Sequence, residues 1–326
     1  MVTRTLGASG LRVTALGLGL AALGRPAYID LGRDRDLGPD RTVVALRRRT
    51  HEVLSAACEA GVGYVDVARS YGSAEEFLAS WMAEHPEAAR SLTVGSKWGY
   101  TYTGGWRIDA PVHEVKDHSL ASLRRQYAES RALLGPHLHI YQIHSATLES
   151  GVLEDGAVLA ELLRMRADGL VIGLTVSGPE QAATIRRALA VRVDGVNPFG
   201  SVQATWNLLE PSAGPALAEA HAAGLGVILK EVLANGRLAG RGLDVPDLLR
   251  RLAGERGIGL DRLAVAAALA NPWADVVLTG AVTVDQLAAN LEAVDLGDPG
   301  LDPATVHRAA EVPDLYWAKR RALPWR

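Results

Sequence analysis

Short apolar, β-branched runs recur along the chain at residues 13–18, 64–67, 92–95, 138–143, 170–176, 201–204, 226–229 and 276–278. Between them lie longer stretches with apolar residues three and four apart, at 49–60, 74–84, 112–133, 157–167, 180–190, 213–223, 260–269 and 284–294. The first pattern predicts strands buried on both faces and the second predicts amphipathic helices. Strands that alternate with helices imply βαβ units and a parallel sheet. Eight units point to a closed (β/α)₈ barrel, although an open doubly wound sheet would show the same alternation. Helix ends are marked in places. Thr283-Val-Asp-Gln286 has the form of a capping box, and Gly61 and Gly224 stand where helices should stop. Two irregular segments, 24–40 and 98–109, follow strands and would be long loops at the C-terminal mouth of a barrel. The second carries Trp98, Tyr100, Tyr102 and Trp106. With no linker or low-complexity tract, all 326 residues read as a single domain.

Composition narrows the class. A charged fraction of 22% and a formal charge of -3 give no basic surface for nucleic acid. The lone cysteine, Cys58, excludes an internal disulfide, suits a reducing, cytoplasmic setting and sits in an alanine-rich helical stretch as a small buried hydrophobe. No run reaches the roughly 18 uncharged apolar residues of a membrane span. The N-terminal apolar run faintly suggests a secretory signal, but Arg12, Gly17 and Gly19 interrupt it. Gly17-Leu-Gly-Leu-Ala-Ala22 has the glycine spacing of a dinucleotide-binding turn. That reading fails because Gly24-Arg-Pro26 stops any helix there, and the next strand reaches its acidic residue only at Asp66.

The candidate chemistry lies at strand ends, where barrel enzymes place it. Asp66 ends the second strand, with Tyr71 five residues on. Lys97 ends the third, and His144 ends the fourth. A free phenol titrates near 10 and is a poor acid at neutral pH. An ammonium group about 4 Å away, at an effective dielectric of about 20, would favour the phenolate by roughly 4 kcal/mol. Lys97 is thus expected to bring Tyr71 toward working pH, Asp66 to keep Lys97 charged, and His144 to donate a hydrogen bond to a substrate oxygen. With neither a nucleophile nor a metal-ligand set, the cluster suits proton transfer coupled to hydride transfer. Arg69, Trp98, Tyr100 and Trp106 are candidates for the substrate wall.

These residues, with Arg4-Thr-Leu-Gly-Ala-Ser-Gly-Leu11 and Tyr141-Gln-Ile-His144, resemble the aldo-keto reductase family nearly end to end. The resemblance implies a (β/α)₈ TIM barrel with an N-terminal β-hairpin and extended βα loops. It implies NAD(P)-dependent interconversion of a carbonyl and an alcohol, with Tyr71 as general acid and Asp66, Lys97 and His144 completing a tetrad. It assigns Ser177 and Gln203 to the nicotinamide amide. Gly280, Thr283, Gln286 and Asn290 fall to the phosphate and adenosine, and Gly236 and Arg237 cover the pyrophosphate. Lys230 replaces the aromatic residue that usually stacks on the nicotinamide, and Val67 replaces a threonine. NADP(H) is expected ahead of NAD(H) from family habit, although Gly280 and Gln286 stand where 2′-phosphate ligands are often basic. A monomer acting on a small-molecule carbonyl or alcohol is expected on the same ground. The alternatives are a hydride-free lyase or isomerase on the same barrel, and a cofactor-binding regulatory subunit.

Overall fold

A computed structural model describes residues 1–241 and 244–326. Among these residues twelve strands are formed: β1 (Thr3–Thr5), β2 (Arg12–Thr14), β3 (Leu16–Gly19), β4 (Tyr64–Asp66), β5 (Thr93–Trp98), β6 (Tyr100–Tyr102), β7 (Glu114–Lys116), β8 (Leu138–Ala146), β9 (Val171–Val176), β10 (Ser201–Thr205), β11 (Gly226–Lys230) and β12 (Val276–Thr279). Eight of them close a parallel barrel in the order β3-β4-β5-β8-β9-β10-β11-β12, and β12 pairs back onto β3. The barrel is therefore the closed one, and Gly17 lies inside its first strand rather than in a nucleotide-binding turn.

Side chains two apart on a strand share a face, which layers the interior. At the bottom Tyr64, Ile140, Ile228 and Val276 form an apolar plug with Leu6 from the β1–β2 hairpin. The hairpin presses against this end so closely that a Cβ on Gly226 would lie 2.3 Å from the Leu6 side chain. Two residues further along these strands the interior turns polar. Asp66, Gln142 and Lys230 stand directly above Tyr64, Ile140 and Ile228 in the same alternation. The apolar layer thus sets the parity that aims the polar residues at the mouth.

Several elements differ from the sequence pattern. The run at 13–18 is two strands: Arg12–Thr14 completes the hairpin and Leu16–Gly19 enters the barrel. The helix expected over 112–133 begins only at Leu120, because Ser119 caps it and Glu114–Lys116 pairs antiparallel with Tyr100–Tyr102. The helix expected from 49 begins at Val43, where the Thr42 hydroxyl accepts from Ala45 N. Helices at Arg33–Leu37, Asp247–Glu255, Pro303–Ala309 and Pro313–Arg321 were not indicated by the apolar spacing. Thr283 does cap its helix, but Gln286 Oε1 accepts from Val282 N instead of closing the box on the cap residue. Cys58 is half-buried, and burial pushes its thiol up to about 11, which leaves it inert. Among the described residues no helix is long and apolar enough to cross a membrane.

Candidate active site

The ends of β4, β5 and β8 bring Asp66, Lys97 and His144 to one side of the barrel mouth. Tyr71 joins them from the turn after β4. That turn is tight: Ser73 N donates to Gly24 O at 2.8 Å, and Gly72, at φ +59°, passes so near that a Cβ would meet the same carbonyl oxygen at 2.4 Å. Glycine after the tyrosine is a steric requirement.

Lys97 is 1% exposed, and its Nζ donates to Asp66 Oδ1 and, at 2.9 Å, to Val67 O. The other carboxylate oxygen of Asp66 accepts from Gln203 Nε2 at 2.9 Å and from the Tyr64 hydroxyl at 3.2 Å. An acceptor with three donors is fixed in place. Lys97 Nζ lies 4.8 Å from the centroid of the Tyr71 ring. Tyr71 lines the cavity, and among the described residues none hydrogen-bonds its hydroxyl.

The electrostatics revise one expectation. Burial, and then the Asp66 carboxylate, push the Tyr71 phenol well above its ordinary range, with Arg25 opposing. The positive charge of Lys97 is largely spent on Asp66, so at rest Tyr71 holds its proton. His144 is held well below the ordinary imidazole range, first by burial and then by Lys97 and Arg25. It is a neutral ring, with Nδ1 3.3 Å from Ser70 Oγ and its plane edge-on to Tyr71 and Tyr100. It is expected to stay neutral between pH 6 and 8. A rate–pH profile should therefore lack a limb near the ordinary imidazole value of about 6.5; a limb there that vanishes in His144→Asn would contradict this.

Arg25 carries a role that the sequence did not reveal. It is 2% exposed and lies within about 5 Å of three ring centroids, those of Tyr28 (5.0 Å), Tyr71 (5.2 Å) and Trp325 (4.8 Å). Its Nη1 donates to Ser70 O at 3.0 Å and to Glu114 at 2.8 Å. Trp325 stacks on His113 at 4.3 Å, and Tyr28 and Arg326 exchange backbone hydrogen bonds. The C-terminal segment and the first long loop thus close the wall beside Tyr71.

One cavity of about 620 Å³ runs from this cluster past Gln203, Ser177 and Lys230 to Gly236, Gly280, Gln286 and Asn290. Its walls bring together the four tetrad candidates except Lys97, which lies beneath Asp66 and Tyr71. Tyr100 lines it as expected. Other candidates do not reach it. Trp98 is fully buried on the opposite face of β5, against His118. Trp106 packs on Phe77 and donates to Arg41 O at 2.8 Å, and the Tyr102 hydroxyl accepts from Trp106 N. Arg69 is taken up by Glu75 and by Glu129, the latter at 3.1 Å. Arg237 turns into ion pairs with Asp244 and Glu311, and Thr283 is used as a helix cap.

The non-glycine residues Glu231, Ala234 and Asn235 have positive φ, and so does Ser145 at the irregular end of β8. Such strain gathers where neighbouring structure holds a site open. Lys230 donates to Thr205 Oγ1 at 2.9 Å, and burial lowers it to about 8 despite Glu231. Glu231 is held bidentate by Arg320, with Nε at 2.8 Å. Against its burial, Arg320 and Lys230 bring its carboxyl down to about 2. A depressed carboxyl stabilises the fold above its unfolded value near 4.5, and that contribution is lost as pH falls toward 2. Arg320→Met leaves this buried carboxylate with Lys230 beside it at 3.8 Å and without its bidentate partner, and is expected to cost about 1–3 kcal/mol, read as a fall in urea midpoint at pH 7. An unchanged midpoint would contradict the pairing.

Comparison with known proteins agrees with this fold. Residues 46–298 match the Aldo/keto reductase family, and the chain belongs to it. Membership implies NAD(P)-dependent carbonyl/alcohol oxidoreduction. The chain is 28% identical over 217 residues to pyridoxal 4-dehydrogenase of Microbacterium luteolum, a match spanning 57% of this chain and 58% of that protein's length. In fold it is similar to the aldo-keto reductase AKR11C1 from Bacillus halodurans in its holo form, with a TM-score of 0.71 and 20% identity over 96% of this chain and 97% of that one. A Pseudomonas aeruginosa structure described as an aldo-keto reductase has a TM-score of 0.63 and 22% identity, over 90% of this chain and 96% of that one.

Proposed function

We propose that the protein interconverts a carbonyl compound and its alcohol with a nicotinamide dinucleotide, using Tyr71 as general acid and base. The observation that carries this reading is the single cavity joining the Tyr71 cluster to the Gly280–Asn290 end. Its volume lies within the range of about 300–1,000 Å³ usual for ligand pockets, and a hydride-free reaction would not need the second half. The donor set fits a dinucleotide. Ser177 and Gln203 line the central part, and Asn235 Oδ1 is buried with no hydrogen-bond partner among the described residues. Gly280 leaves backbone open at the far part, with nothing within 4 Å of where a Cβ would stand, whereas Gly236 packs on Asp30 and Leu31 of the first long loop. Ser177, Gln203, Lys230, Gly236, Gly280, Gln286 and Asn290 are the residues expected to hold the group.

A bound nicotinamide supplies or accepts the hydride. The protein's own work is at the oxygen. His144, neutral and fixed by its neighbours, donates a hydrogen bond that orients the carbonyl. Tyr71 gives its phenolic proton as negative charge develops on that oxygen. The resulting phenolate is formed beside Lys97 and Arg25, so both cations act mainly once charge has moved, which is the condition for accelerating the step. A high resting pKa is no obstacle, because a developing alkoxide is a stronger base than a phenolate. In the direction of alcohol oxidation Tyr71 must begin as phenolate. Removing Arg25 takes away the charge that lowers it, so Arg25→Met is expected to move the rising limb of the oxidation profile to higher pH. A rate–pH profile identical to that of the unmodified protein would contradict this.

On the substrate side, Tyr28, Tyr100 and Trp325 offer rings, and Arg25 and Glu114 offer charge and hydrogen bonds. A planar carbonyl compound with polar substituents fits such walls. The name of the Microbacterium relative makes pyridoxal the first compound to test. Turnover of pyridoxal that exceeds that of an unsubstituted aromatic aldehyde supports the reading; equal turnover would contradict a role for the charged wall.

A further inference from the structure

We propose that the far end of the cavity selects NAD(H) over NADP(H), with Asp36 on the first long loop as the principal discriminator. The inference rests on the dinucleotide reading above and concerns only which dinucleotide is taken, reversing the family habit. The two forms differ by one 2′-phosphate, a monoester carrying about -1.5 to -2 charge at neutral pH. The pyrophosphate is common to both and cancels from the comparison.

The groups at this end are the wrong ones for a second anion. Asp36, Asp261 and Asp285 line the cavity around β12 and the helix that follows it, and Asp30 lines it six residues before Asp36. The cavity-lining cation bonded to a carboxylate of this end is Arg241, and it is already committed. Both its terminal nitrogens donate to the Asp36 carboxylate, Nη2 at 2.9 Å. Arg25, Lys230 and Arg320 belong to the catalytic end, with Glu114, Thr205 and Glu231 as partners; Arg321, at the end of the C-terminal helix, also lines the cavity. Gln286 Nε2 also donates to Asp36, at 2.7 Å. The carboxylate is thus pinned across the cavity from the β12 helix, where a neutral glutamine offers a phosphate no countercharge.

What this end does offer is acceptors. Asn235 Oδ1 is buried, on the cavity wall and without a hydrogen-bond partner among the described residues. An orphaned acceptor and a fixed carboxylate suit hydroxyl donors, as a ribose diol presents, and repel a phosphate. In doubly wound dinucleotide folds an acidic residue likewise takes the ribose hydroxyl, where an arginine takes the 2′-phosphate. Here the same chemistry is assembled on a barrel from a loop residue far away in sequence.

The test is direct binding, read by quenching of tryptophan emission and checked by calorimetry, with NADH and NADPH as probes on the full chain. NADH is expected to bind at least about tenfold more tightly. Asp36→Asn is expected to narrow that ratio, and Asp285→Lys, on an exposed helix position, to narrow it independently of any change in the loop. NADPH binding as tightly as NADH or more so would overturn the proposal and leave the oxidoreductase reading standing. Failure of both to bind would overturn the two together. A ratio unmoved in both variants would overturn the assignment to these carboxylates.

Discussion

Tyr71→Phe is expected to lower turnover by about 10²–10⁴-fold, the usual contribution of a positioned general acid, while dinucleotide affinity stays within a few-fold. The change is a clean one because the ring is retained. It keeps its edge contact with His144 at 5.4 Å and stays beside Lys97 and Arg25. Only the hydroxyl is lost, and that hydroxyl has no hydrogen-bond partner among the described residues, so the fold gives up nothing in losing it. A deletion that spares stability and binding but not turnover isolates the proton transfer. Retention of most of the activity would show that another group, or water, protonates the oxygen.

Lys97→Met is expected to be damaging in two ways that can be separated. Lys97 and Asp66 form a buried pair, with side chains 1% and 3% exposed. Removing one partner of such a pair costs about 3–5 kcal/mol, because the other is left as an uncompensated buried charge. Turnover should also fall, since the phenolate formed by Tyr71 loses its nearest cation. The double variant Lys97→Met with Asp66→Asn removes both charges and leaves Gln203 and Tyr64 facing a neutral amide. Urea unfolding should then recover much of the lost stability, and turnover should remain low. Recovery of both together would mean that Lys97 serves the fold alone; recovery of neither would mean that the pair does not act as a unit.

How much of this was legible in the sequence depends on parity. Asp66, Lys97 and His144 could be read because each ends an apolar run, and the run betrays a strand whose alternation aims every second side chain inward. The same rule, applied more strictly, would have removed Trp98 from the substrate wall: it follows Lys97 by one residue and must face the other way. Arg69 could not be judged from the strand, since it lies in a turn and its fate is set by Glu75 and Glu129. The contributions of Arg25, Asp36 and Trp325 were not legible for a different reason. They sit in irregular segments with no hydrophobic period, and contacts across very long sequence separations bring them to the mouth. Arg33 shows the cost of ordering such a loop. It is fully buried and donates to the carbonyls of Ala22, Arg25, Pro26 and Arg326, which ties the first loop to the C-terminal segment.

The central claim is that this cavity carries out hydride transfer to a carbonyl with Tyr71 as the acid. It is tested most directly by following the label from reduced dinucleotide deuterated at the transferable position of C4. The protein is incubated with NADH or NADPH so labelled and with pyridoxal, simple aromatic aldehydes and ketones in turn, and the alcohol formed is analysed by mass spectrometry. The account predicts one deuterium on the former carbonyl carbon of at least one product, at a rate that collapses in Tyr71→Phe. Labelled dinucleotide that binds but never passes deuterium to any of these carbonyls, or passes it as fast in Tyr71→Phe, would contradict it.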